Sequence, residues 1–159
     1  MEWGTYFDYK EGKLFWKVEK GIKAKVGQEA GYTSNTGYLI LQFNYKSYMV
    51  HRVIYELLKG NIPKGYFIDH IDRNKSNNKI ENLRLVTPKQ NCYNSDARPN
   101  NKLGTKGVHY HKNKNKYQAQ IKDNGVAIYL GQFDTPEEAK EAYEKAAKRL
   151  HGEFYNGPF

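Results

Sequence analysis

The sequence predicts an α+β chain made of two small domains. In both halves, short runs of aromatic and branched residues alternate with polar residues, as in β-strands. Two stretches, at 50–58 and 139–150, repeat apolar residues at helical spacing. A polar segment with proline and glycine separates the halves, which predicts a linker. We therefore expect domains at 1–96 and 104–159, joined by a linker at 97–103.

The N-terminal domain is expected to begin with β-hairpins. Strand-forming aromatic residues flank two turn sequences, at 11–13 and 44–46. The glycine-rich segment 21–37 between them is expected to form loops. A helix follows at 50–58, and Gly60 stands where a helix-terminating glycine belongs.

A group of polar residues with regular spacing follows this helix. An apolar run ends in Asp69-His70, and Asn82 and Asn91 lie 12 and 21 residues beyond His70. The sequence at 87–90 has the form of a capping box, which places Asn91 in the first turns of a helix that begins at 88 and fades by 96. This pattern predicts a strand, a loop, a second strand and a short helix around one divalent metal ion.

Phosphodiester hydrolysis needs an activated water, relief of charge on the phosphate and help for the departing 3′ oxygen. A metal ion can supply the last two, and a histidine can supply the first. Mg²⁺ takes oxygen ligands and keeps several waters, so Asp69 and Asn91 would suffice as protein ligands. Because neighbours on a strand point to opposite sides, Asp69 and His70 can share a site only if the strand twists or ends there. The alternative is that these polar residues only satisfy a turn and cap the neighbouring elements.

Asp69-His70, Asn82 and Asn91 resemble the HNH endonucleases of the ββα-metal type. The resemblance is closest to the phage and intron-homing branch, where asparagine replaces the last histidine, and it covers residues 5–96. It implies that His70 is the catalytic general base and that Asp69 and Asn91 bind Mg²⁺ or Mn²⁺. It also implies that Asn82 belongs to the catalytic site by bracing the loop between the two strands.

Three further residues are candidates for contacts at or near this site. Arg84 is a candidate DNA-phosphate contact, although on a half-exposed strand it could equally be solvated. His51 could approach the phosphate, but a histidine at a helix start is more often structural. Cys92, the single cysteine, is expected to be a small buried residue.

The C-terminal domain has the pattern of three strands and a helix. Alternating residues predict strands at 107–111, 116–122 and 126–131. A second capping box, at 135–138, opens a helix with alanine and tyrosine on one face. The small alanine side chains would let this helix lie close to a sheet.

Residues 104–156 resemble the apetala-type, or ethylene-response-factor-type, DNA-binding domain, and the matching segments include 116–123 and 130–135. The resemblance implies a three-stranded sheet, backed by one helix and laid into the major groove. Where plant members mostly carry arginine and tryptophan, this chain has histidine and tyrosine, so a weaker or different sequence preference is expected. The residues expected to face DNA are Lys106, His109, His111, Lys116, Gln120, Lys122 and Tyr129.

Composition agrees with a nucleic-acid partner. The net charge is +9, and residues 99–125 carry six basic and one acidic residue, against four and six in residues 126–159. Such a field favours a polyanion, although a basic protein can also be merely soluble. With 38% hydrophobic residues and no signal-peptide pattern, no membrane association is expected. A single cysteine fits a reducing cytoplasm, which would be that of a bacterial host cell if the protein is phage-encoded.

The sequence thus predicts a metal-dependent DNA endonuclease of the nicking or homing type that acts on double-stranded DNA. One active site per chain favours a monomer that cuts one strand, with a dimer as the alternative. Another class remains open, a DNA-binding regulator with an inactive nuclease fold. An RNA-directed nuclease is a further alternative, which the C-terminal domain disfavours.

Overall fold

The structure is a computed structural model that describes residues 2–22, 24–95, 97, 101, 103–155 and 157. It forms two compact units, Met1–Asn91 and Cys92–Phe159. Most of the predicted linker at 97–103, and residue 96 where the helix was expected to fade, lie outside the described residues. No described helix is long and apolar enough to pass through a lipid bilayer.

The described residues mix strands and helices, which confirms the predicted α+β class. In chain order the elements are β1 (Phe7–Lys10), β2 (Lys13–Trp16), β3 (Glu29–Ala30), β4 (Tyr32–Thr33), β5 (Leu39–Phe43), β6 (Lys46–Met49), α1 (Val50–Lys59), β7 (Phe67–His70), β8 (Leu83–Val86), α2 (Pro88–Asn94), β9 (Val108–His111), β10 (Lys116–Asp123), β11 (Val126–Phe133) and α3 (Pro136–His151). Short 3₁₀ turns flank several of them.

The first unit contains three small sheets, ordered β1-β2-β3, β4-β5-β6 and β7-β8. Both predicted hairpin turns are present, because Glu11-Gly12 and Asn44-Tyr45 have positive φ angles, as two-residue turns of type I′ require. The sheets and α1 enclose one apolar core. Its fully buried side chains include Phe7, Leu14, Leu41, Val50, Val53 and Ile54.

The predicted helix at 50–58 is confirmed as α1. Val50, Val53 and Ile54 are buried on one face. Gly60 ends the helix with φ +91° and donates its N–H to the Glu56 carbonyl at 3.2 Å. The amphipathic repeat and the terminal glycine therefore fix this element locally.

The prediction that 21–37 forms only loops is wrong, because β3 and β4 lie within it. β3 pairs with β2, and β4 pairs with β5, so the chain passes from one sheet to another at Gly31. A Cβ at Gly31 would lie 3.1 Å from the Ile40 carbonyl oxygen and from Val50 Cγ2. β3 and β4 form because they pair with strands elsewhere in the chain. Each has only two residues, so neither is long enough to show the alternation of a strand in the sequence.

The second unit has the predicted three strands and one helix. The sheet order is β11-β10-β9, and α3 covers one side of it. Ala119, Ala139 and Ala147 are completely buried between sheet and helix. The capping box at the start of α3 is confirmed, since Glu138 donates its N–H to Thr135 Oγ1 at 3.2 Å and its carboxylate accepts from the Thr135 N–H at 3.4 Å.

Candidate active site and nucleic-acid interface

The Asp69-His70 pair lies where β7 ends. In the β7–β8 hairpin, Asp69 is opposite Arg84 and His70 is opposite Leu83. Beyond His70 the chain turns, and Arg73, at φ +63°, donates its N–H to the His70 carbonyl at 3.0 Å. The strand end that would let neighbouring side chains serve one site is therefore present.

His70 is buried and is hydrogen-bonded to an asparagine to which the sequence analysis assigned no role at the site. The Asn78 side chain is 1% exposed, and its Oδ1 lies 2.8 Å from His70 Nε2. With this oxygen as acceptor, Nε2 carries the hydrogen and the lone pair of the neutral ring lies on Nδ1. Asn78 stands in an asparagine-rich loop whose composition gives no sign of this contact.

A second buried histidine packs against the first. The rings of His51 and His70 lie edge to face, with centroids 4.9 Å apart, and the Tyr38 ring lies 5.5 Å and 6.0 Å from them. Burial, together with the charges of His70 and Arg52, lowers the pKa of His51 to about 3. His51 is therefore uncharged at neutral pH. The unfolded state takes up this proton near pH 6.5 and the folded state only near pH 3, so acid between these values favours unfolding.

The Asp69 carboxylate is paired with a cation from the facing strand. Arg84 Nε and Nη2 lie 3.0 Å and 2.9 Å from Asp69 Oδ2, and both side chains are largely buried. A charge-assisted contact of this kind orients the carboxylate and compensates its charge. Arg84 thus lies beside the proposed metal ligand, a position that its half-exposed strand pattern did not predict.

Asn82 connects both ends of the loop between β7 and β8. Its Oδ1 accepts the Asp72 N–H at 3.0 Å, and its Nδ2 donates to Asp72 Oδ1 at 2.9 Å and to the Asn77 carbonyl at 2.7 Å. Burial opposes ionisation of Asp72, but hydrogen bonds from Asn77 and Asn82 lower its pKa overall. The ionised Asp72 and Asn82 therefore act together as the polar centre of this loop.

Asn91 lies in the first turns of α2, as the capping box predicts. Gln90 donates its N–H to Thr87 Oγ1 at 3.3 Å, and its side-chain oxygen accepts from the Thr87 N–H at 2.8 Å. Asn91 is exposed. The neighbouring Cys92 is exposed too, so the prediction of a buried cysteine is wrong. Because α2 is short, it has no repeat of apolar residues that would show whether Cys92 lies on its buried or its exposed side.

The donor chemistry suits a hard cation. Within the described part of the chain, no three His, Cys, Asp or Glu side chains cluster as a metal site. The expected ligands, a carboxylate from Asp69 and an amide oxygen from Asn91, would form an oxygen donor set. This set fits Mg²⁺ or Mn²⁺, which complete their coordination with water and substrate oxygens.

In the second unit, one side of the sheet is buried against α3 and the other is open. Val108, Ala119 and Ile121 are buried on the α3 side. Side chains alternate between the two sides along each strand, and the pairing register aligns those of neighbouring strands. The side chains that point away from α3 therefore share one side of the sheet, which we call the open face. The open face consists of His109, His111, Lys116, Gln118, Gln120, Lys122, Ala127, Tyr129 and Gln132.

Six of the seven predicted DNA-facing residues thus share one face, and Lys106 lies before β9. Lys106 Nζ donates to the Cys92 carbonyl at 2.7 Å, and Lys116 is ion-paired with Asp134. Gln118 and Gln132 were not among the predicted DNA-facing residues. Gln118 lies two residues before Gln120 on the same strand, so strand alternation could have placed it on the same face. The place of Gln132 on that face depends on the pairing register.

Comparisons with known proteins assign both units. The family described as HNH endonuclease matches residues 48–93, and the family described as AP2 domain matches residues 103–153. Protein 3.8 of Escherichia phage T7 is 34% identical over 110 residues, which cover 69% of this chain and 90% of that protein. An uncharacterised HNH endonuclease of Acanthamoeba polyphaga mimivirus is 36% identical over 124 residues, covering 77% of this chain. The chain spans 63% of the length of that mimivirus relative.

A solved structure of DNA binding and cleavage by the HNH homing endonuclease I-HmuI aligns with 93% of this chain and 85% of its own. Its TM-score is 0.44, and its sequence identity to this chain is 22%. The HNH match contains the whole motif from Asp69 to Asn91 and lies in the first unit except for residues 92 and 93, whereas the AP2 match lies entirely in the second unit. The chain therefore carries an HNH endonuclease domain, followed by an AP2 domain in its C-terminal unit.

Proposed function

We propose that this protein is a metal-dependent endonuclease that hydrolyses one strand of double-stranded DNA. The observation that carries the proposal is the buried His70 at the end of β7, next to Asp69 and hydrogen-bonded through Nε2 to Asn78 at 2.8 Å. A histidine in this state has its basic nitrogen at Nδ1 and a fixed ring orientation. Both properties suit a general base.

The proposed roles follow from the contacts. Asp69 and Asn91 would hold one Mg²⁺ or Mn²⁺, which when bound would relieve phosphate charge and assist departure of the 3′ oxygen. His70 would take the proton of the attacking water at Nδ1. Arg84 would orient the Asp69 carboxylate and contact a DNA phosphate. Asn82 would stabilise the loop after His70.

The C-terminal unit is proposed to hold the DNA. The proposed domains are 1–96 and 104–159, joined by a linker at 97–103. The open face and Lys106 would contact double-stranded DNA. The excess of basic residues at 99–125 and of acidic residues at 126–159 supports this orientation, since phosphates attract the former and repel the latter. A monomer that nicks, a homing role and the cytoplasm of a bacterial host remain parts of the proposal.

A plasmid assay tests the activity. With Mg²⁺, the purified protein should convert supercoiled plasmid into nicked circles, and EDTA should prevent the conversion while DNA binding persists. A directly formed linear product would contradict nicking by a monomer. Binding without any cutting, in Mg²⁺ and in Mn²⁺, would favour the alternative of a DNA-binding regulator with an inactive nuclease fold.

Phosphate contact by the open face predicts a change in salt dependence. Lys122 is exposed in the central strand of the sheet, so Lys122→Ala should weaken DNA binding and lower the slope of log K against log salt by about one. Lys148→Ala, at an exposed position of α3 on the other side, is the matched control and should leave the slope unchanged. An unchanged slope for Lys122→Ala would refute phosphate contact there.

A further inference from the structure

We propose that Gln118 and Gln132 read adenine in the major groove, so that the AP2 domain of this protein prefers A·T base pairs. The inference rests on the proposed DNA-binding function and specifies its target class. The two residues face each other across β10 and β11, at the centre of the open face. They lie on the side of the sheet that α3 does not cover.

The amide chemistry matches adenine. A glutamine side chain offers one donor and one acceptor side by side, which pair with N7 and N6 of adenine in the major groove. Guanine is read most often by arginine or lysine. Residues 103–135, which span the whole sheet, contain no arginine. Of the lysines on the open face, Lys116 is ion-paired with Asp134.

Both amides are available for a base. Within the described part of the C-terminal unit, the side-chain amides of Gln118 and Gln132 make no hydrogen bond, and both side chains are partly exposed. Gln120, by contrast, has its Nε2 only 3.4 Å from His109 Nε2. An amide without a protein partner loses nothing internal when it binds a base edge, so the pair at 118 and 132 is the better candidate for readout.

The strand spacing sets the expected pattern of bases. Residues two apart on a strand are about 6.6 Å apart, close to two base-pair steps of about 3.4 Å each. Directly opposite residues lie about 5 Å apart, within reach of the same or the next base pair. Gln118 and Gln132 should therefore read adjacent positions. Ala127, exposed on the same face, offers a methyl group that fits the methyl of thymine.

Selection from a random duplex library tests the proposal. The whole protein, in EDTA so that no strand is cut, should enrich sequences with adjacent A·T pairs. Gln118→Arg should change the preferred base from adenine to guanine at one position and leave the others as they are. Gln118→Ala should lower the preference for adenine over guanine at that position about tenfold. Gln28→Arg, at an exposed position of the first unit, is the matched control and should select the wild-type sequences.

The outcomes separate this inference from the proposed function. Enrichment of G·C pairs by the wild type, or a Gln118→Arg selection identical to that of the wild type, overturns adenine readout and leaves DNA binding intact. Binding without any base preference does the same. Failure to bind any duplex overturns the inference together with the docking role of the open face, whereas nuclease activity is judged separately by plasmid cutting in Mg²⁺.

Discussion

Replacing His70 with alanine should reduce the rate of plasmid nicking in Mg²⁺ by about 10²- to 10⁴-fold, the range that a general base contributes. The residue is 4% exposed, and its ring is hydrogen-bonded to Asn78. The rate should be measured under single-turnover conditions with protein in excess. Changes in product release then cannot hide the loss of the chemical step.

Two measurements make the His70→Ala result specific. DNA binding in EDTA should remain near the wild-type level, because the proposed docking surface is in the other unit, and circular dichroism should show a folded protein. Asn78→Ala should give a smaller loss of rate, because it keeps the base but removes the hydrogen bond to His70 Nε2. Equal nicking by wild type and His70→Ala would remove the catalytic assignment.

Gly107→Ala should unfold the C-terminal unit. Gly107 has φ +69°, and a Cβ there would lie 2.0 Å from the Gln120 carbonyl oxygen and 2.6 Å from Tyr143 Cε2. The backbone cannot move aside, because the Gly107 carbonyl accepts the Gln120 N–H at 2.8 Å. Overpacking and the left-handed backbone together cost about 2–5 kcal/mol, a large share of the stability of a small domain.

The matched control for this substitution is Gly125→Ala. Gly125 also has positive φ, +83°, but a Cβ there meets nothing within 4 Å. Only the backbone penalty of about 1–2 kcal/mol should appear. Urea unfolding and DNA binding in EDTA should show a strong loss for Gly107→Ala and a mild one for Gly125→Ala. Equal destabilisation by the two would contradict the role of steric contact at Gly107.

Much of the fold is predictable because its determinants are local. The repeat of apolar residues and Gly60 define α1, and the capping boxes at Thr87 and Thr135 define the starts of α2 and α3. Each signal requires only residues within a turn or two of one another. The family resemblance was also visible, because the spacing of Asp69, His70 and the two asparagines is a property of the sequence itself.

The sequence by itself determined the α+β class, the positions of the three α-helices and the face of α3 that is buried. Only the tertiary structure decided that Asn78 holds His70, that His51 packs against the same ring and that Arg84 pairs with Asp69. These contacts join residues 8, 19 and 15 positions apart through a loop, a helix and a strand register. No local period encodes such partners, because they are chosen by how the elements pack and by which buried polar groups must find one another.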